Sequence, residues 1–159
     1  MDEKKYAVLL TDTQNVKIVE CDPQEEMFDI ARGIIGCDWI ELVEPEPLSK
    51  DGFLMLIDEE GKLRGGALTI NCIASELYGA DRHGDPIVGS AVIVHANEDQ
   101  LELQTDTEAK LLANGFNQKR DLAIEKISKA FGIRPVPDPS HDLPGTMRRQ
   151  PCKNNGMER

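Results

Sequence analysis

The sequence predicts a single compact α+β domain with a mostly antiparallel sheet, three to four helices and a disordered C-terminal tail. Three observations lead there. Short apolar runs of strand length alternate with amphipathic stretches at helical spacing. Turn signals rich in Asp, Gly and Pro punctuate them. Of the chain's nine prolines, Pro135, Pro137, Pro139, Pro144 and Pro151 crowd into its last quarter. The 159 residues suffice for one domain with its own core, and a 40% hydrophobic content with only 4% aromatics makes that core aliphatic.

The elements follow in order. Lys5–Leu10 and Gln14–Glu20 read as two strands joined by the Thr11-Asp12-Thr13 turn, an N-terminal hairpin. Asp22 has the chemistry of a helix N-cap, with Pro23 at the first helical position and Glu25 at the third. Met27, Ile30, Ala31 and Ile34 then recur on one face until Gly36. Trp39–Val43 is a third strand, and Trp39 is expected in the core. In Glu44-Pro45-Glu46-Pro47 the two prolines argue against helix and central strand alike. Phe53–Ile57 is an apolar run that suits a strand buried on both faces, ending in the acidic turn Asp58–Lys62, where Gly61 can take a positive φ. After Gly65-Gly66, a short helix spans 70–78 and is closed by Gly79. A polar loop over 81–85 leads into a strand at Pro86–Val94. Thr105-Asp106-Thr107-Glu108 is a capping box that opens a helix through Asn114, stopped by Gly115. A second helix, about 118–131, ends at Gly132. These readings divide the chain into a domain over 1–116, an additional helix within 117–132 and a flexible, Pro-rich tail over 133–159.

The net charge is −11, and it is uneven. Residues 1–131 carry 13 basic against 26 acidic side chains, a net of −13. Such a surface repels phosphates, so direct nucleic acid binding is not expected. It fits a solvated, soluble face or, more pointedly, mimicry of a DNA backbone. The apolar runs are shorter than a membrane span requires, and residues 1–20 show no secretory pattern, so a cytoplasmic protein is expected. Cys21, Cys37, Cys72 and Cys152 have no metal-ligand spacing and are read as reduced thiols.

The order of pieces, with Gly36 before the third strand, the Glu60-Gly61-Lys62 turn, Asn71 before a short helix and Asp85, Ile87 and Gly89 leading a later strand, resembles the domain of unknown function 3846 family over roughly Lys5 to Phe116. The resemblance implies a genome rather than a reaction: a phage, plasmid or conjugative element, often beside genes that counter host defence, with the host cytoplasm as location. It brings no catalytic residues. The Glu44–Asp51 insertion and the C-terminal helix and tail depart from the family pattern.

Several side-chain groups invite chemistry. Asp58-Glu59-Glu60 offers carboxylates for acid–base work or magnesium, set against ordinary turn solvation. His83 and Asp85 lie two apart, as a hydrolase pairing an imidazole with a carboxylate would need, although no nucleophile stands beside them. Lys62, Arg64, Asn71 and Tyr78 gather near the Gly65-Gly66 joint and a helix start, the residue types that would hold an anion. The alternative for Asn71 is a local cap. The expectation is therefore a non-enzymatic accessory protein without cofactor or metal, binding a nucleotide-type host defence signal through these four residues. The alternatives are a DNA-mimic partner of a host defence protein, and a small hydrolase using His83 and Asp85. Leu122, Ala123, Ile127, Ala130 and Phe131 form an apolar stripe that either packs on the same chain or joins two copies as a homodimer.

Overall fold

The structure, a computed structural model, describes residues 4–61, 69–97 and 100–133, together with the backbone of 146–148. It is α+β, with seven strands in one sheet ordered β3-β4-β5-β1-β2-β7, while β6 pairs with β5 off that path. The strands are β1 (Lys5–Leu10), β2 (Val16–Cys21), β3 (Ile40–Val43), β4 (Phe53–Asp58), β5 (Ala91–Asn97), β6 (Gln100–Glu102) and β7 (Thr146–Arg148). All pairings are antiparallel except β2 with β7.

Strand alternation sorts the sheet's side chains onto two buried faces. Val8, Leu10, Val16, Ile18, Met55, Ile57, Ala91 and Ile93 pack beneath α3 (Cys72–Tyr78) and the long α5 (Asp106–Phe131). Ala7, Leu9, Val19, Leu56, Val92 and Val94 pack against Ile30 and Ala31 of α1 (Met27–Ile35). Two layers of helix thus sandwich β1, β4 and β5, as the apolar run of β4 predicts. No helix among the described residues is long and apolar enough to cross a membrane.

Several sequence expectations are corrected by the structure. The first helix starts at Met27 with Glu26 as its N-cap, because Asp22 instead closes a turn on Gln24 N–H. Pro45 and Pro47 do not exclude a helix; they open α2 (Glu46–Ser49), where the first turn has no amide to lose. The expected loop at 81–85 begins inside the short helix α4 (Ala80–His83), and the following strand begins only at Ala91. Gly61 has no positive φ. It is small for another reason: a Cβ there would stand 2.5 Å from the Val88 carbonyl oxygen. The two expected C-terminal helices are one, running through Gly115 from the Thr105 capping box to Gly132. Burial of Ala109, Ala113, Phe116, Ala123 and Ile127 along that helix outweighs the roughly 1 kcal/mol cost of an interior glycine.

The same burial shows that Ala123 and Ile127 of the apolar stripe pack on their own chain, Ile127 beside Cys72 and Ala80. Leu122 and Ala130 stay exposed. Regular structure returns in the tail at Thr146–Arg148, whose backbone pairs with Ile18–Glu20. Apart from Ile133, which packs beside Ile127, the remaining residues of the expected flexible tail lie outside the described residues. Trp39, expected inside, is 61% exposed.

Candidate functional site

One end of the sheet is held by buried amides that no simple motif announces. Gln14 sits in the hairpin turn with φ of 68°, a conformation rare outside glycine. Its Nε2 donates to Asp12 O at 2.8 Å and Ile70 O at 2.9 Å, while its Oε1 accepts from Cys72 N–H at 2.8 Å. Asn71 is wholly buried at the start of α3. Its Nδ2 donates to Leu10 O at 2.7 Å and Gly89 O at 3.0 Å, and its Oδ1 caps Ala74 N–H at 3.1 Å. The amide is therefore committed to joining β1, α3 and the approach to β5. A ligand does not reach it in this arrangement, so the structure assigns Asn71 the role of a cap and brace. Gly89, with φ of 91°, lets its carbonyl turn to meet it.

Beyond this brace the chain forms an open cleft of about 340 Å³ between the ends of β3 and β4, Tyr78 at the end of α3, and the 85–88 segment. Glu41, Asp58, Glu59 and Asp85 supply carboxylates, while Ile57, Pro86, Ile87 and Val88 supply apolar wall. The acidic turn and Asp85, distant in sequence, are thus brought together around Tyr78. Glu41 was not singled out by sequence; it belongs here only because β3 pairs with β4 in the register Glu41↔Ile57. Asp58 is nearly buried, and its Oδ1 accepts from Glu60 N–H at 2.9 Å, so the turn pre-orders that carboxylate. Of the four residues expected to hold an anion, Tyr78 lines this cleft, Asn71 lies behind it in the core, and Lys62 and Arg64 fall outside the described residues. Lys62 directly follows the cleft residue Gly61 in sequence.

His83 stands beside Tyr78, edge-on to its ring at a centroid distance of 4.9 Å. Its Nε2 lies 2.9 Å from Tyr78 O, and its Nδ1 accepts from Asp85 N–H at 3.2 Å. In this arrangement Nδ1 serves as an acceptor and Nε2 as the donor to Tyr78 O. Both ring nitrogens bond backbone, Nδ1 to the Asp85 amide. Cys72 is buried, which pushes its thiol up to about 11 from the ordinary 9.0 and keeps it protonated at neutral pH. Among the described residues, no three His, Cys, Asp or Glu side chains converge closely enough to hold a metal ion.

The fold and cleft define a small α+β protein with an acidic, partly apolar recess at one end of its sheet. The chain belongs to the family described as a domain of unknown function (DUF3846), whose model matches residues 4–117. That match ends inside α5. No curated protein and no solved structure matches the chain.

Proposed function

We propose that this protein acts by binding, as a cytoplasmic accessory factor of a phage or other mobile element, and that its cleft takes a nucleotide-type molecule base-first. The observation that carries this reading is the meeting of Tyr78 with Glu41, Asp58, Glu59 and Asp85 around one recess of about 340 Å³, a size suited to a small ligand. Carboxylates accept hydrogen bonds from the amino and imino groups of a base, and the apolar wall shelters its faces. The same carboxylates repel phosphate, so the anionic end must lie outward, where Lys62 and Arg64 are the basic residues next in sequence. Sequestration of a host defence signal fits such a site.

The bonds of His83 support binding over turnover, since a hydrolase would have to release both ring nitrogens before moving a proton. Acidic mimicry of DNA toward a host enzyme draws support from the net −13 of residues 1–131. Calorimetry against a panel of linear and cyclic nucleotides tests the favoured reading. Saturable binding, weakened at least tenfold by Tyr78→Ala and by Lys62→Ala, is the expected result. No binding across the panel, with a salt-sensitive protein captured from host lysate, would favour mimicry; nucleotide turnover would favour a hydrolase.

A further inference from the structure

The outer edge of β3 is built differently from the rest of the sheet. Glu59 N–H donates to Trp39 O at 3.0 Å, which makes Trp39 and Glu59 a hydrogen-bonded antiparallel pair. In the register Glu41↔Ile57 and Val43↔Met55, the backbones of Glu41 and Val43 therefore also face β4. Ile40 and Leu42 consequently turn their N–H and C=O groups outward. Among the described residues no strand pairs with that side. Trp39 is 61% and Leu42 40% exposed, so the edge carries large apolar side chains as well as open backbone.

We propose that β3 is a docking edge for a basic, extended segment of a partner protein, which adds to the sheet as a further strand. Period-two alternation puts Trp39 and Glu41 on the cleft face and Ile40 and Leu42 on the α1 face. An added strand places its successive side chains beside those two faces in turn. Its matching pattern is a cationic residue, attracted by Glu41 and by the ring of Trp39, alternating with an apolar residue against Ile40 and Leu42. Charge selects this occupant. Asp38, Glu41, Glu44 and Glu59 are all exposed, and no Lys or Arg occurs from Gly33 to Ser49. A second copy is disfavoured by the same residues. Antiparallel pairing of two β3 edges about Glu41 sets Glu41 against Glu41 and Asp38 against Glu44, so that like charges meet at three of the seven pairs over 38–44. The opposite end of the sheet carries a precedent within the chain: β7 lies along β2 with Arg148 in register with Glu20.

The test uses the full chain and an octapeptide of four Lys-Val repeats, followed by the fluorescence of Trp39, the only tryptophan. Saturable binding is expected, at least tenfold tighter than for a Glu-Val repeat or for the same residues in block order, Lys-Lys-Lys-Lys-Val-Val-Val-Val. Leu42→Pro, which replaces an outward N–H, should weaken it at least tenfold. In the unaltered chain, peptide should also slow hydrogen exchange at the Ile40 and Leu42 amides at least tenfold, a readout that does not depend on any variant folding. Equal binding by the block peptide, unchanged exchange at those amides, or absence of saturable binding overturns the proposal. Sedimentation that shows self-association through this edge, with Trp39 fluorescence changing on concentration alone, overturns it in favour of a second copy.

Discussion

The two ends of the sheet solve the same problem in opposite ways. At one end β2 is covered, its backbone paired in parallel with Thr146–Arg148 of the chain's own C-terminal segment. At the other, β3 is four residues long, flanked by acidic side chains and prolines, and no strand among the described residues pairs with Ile40 and Leu42 on its outer side. A bare strand edge is a template for pairing, and proteins blunt it by covering, shortening or charging it. Here one edge is covered and the other is short and charged. The difference teaches that a charged guard is selective: it blocks a like-charged copy while leaving a complementary strand free to add.

Both edges hang from a shared frame, so the most damaging change should abolish the comparison altogether. Asn71→Ala removes three buried hydrogen bonds, to Leu10 O, Gly89 O and Ala74 N–H. A loss of about 3–5 kcal/mol in chemical denaturation is expected, since each buried group left unpaired costs about 1–3 kcal/mol. Retention of stability within about 1 kcal/mol, the net value of one hydrogen bond, would mean the amide is not the brace described.

The next pair of changes sharpens the assignment of the open edge. Glu41→Pro deletes an amide that faces β4 and should cost about 3 kcal/mol, whereas Leu42→Pro deletes an outward amide and should cost less than about 1 kcal/mol. Thermal melts of the two variants decide it; the reverse order would place β3 in the opposite register of hydrogen bonding. Truncation after Ile133 uncovers β2 and should cost about 1 kcal/mol, the net value of a hydrogen bond or two. Hydrogen exchange should accelerate along Val16–Cys21 and stay unchanged on β3. Smallest of all, Trp39→Ser should shift stability by less than about 0.5 kcal/mol, because the ring is largely in solvent. A larger loss would return Trp39 to the core.

Legibility followed the range of the interactions. The hairpin, the Gly36 and Gly79 helix ends, the Thr105 capping box and the apolar run of β4 were readable because each is decided within a few residues. What was misread turned on contacts from afar. Gly115 stops a helix on local propensity, yet packing of Ala113 and Phe116 carries α5 through it. Trp39 is apolar and stands at a strand, yet it lies outside because β3 is at the margin of the sheet. Asn71 read by sequence more readily as a local cap than as a ligand group; only the approach of Leu10 and Gly89 commits both its amide hydrogens. The candidate cleft was legible in its parts, Tyr78, Asp85 and the acidic turn, but their meeting, and the presence of Glu41, were not.

Composition and periodicity therefore sufficed for an acidic α+β domain with aliphatic faces, because burial and backbone geometry impose their periods on neighbouring residues. Strand order, the choice of which edge is covered, and the convergence of Glu41, Asp58, Tyr78 and Asp85 belong to the tertiary structure. Strand pairing brings together residues tens of positions apart, and no local pattern records which strand will be the neighbour.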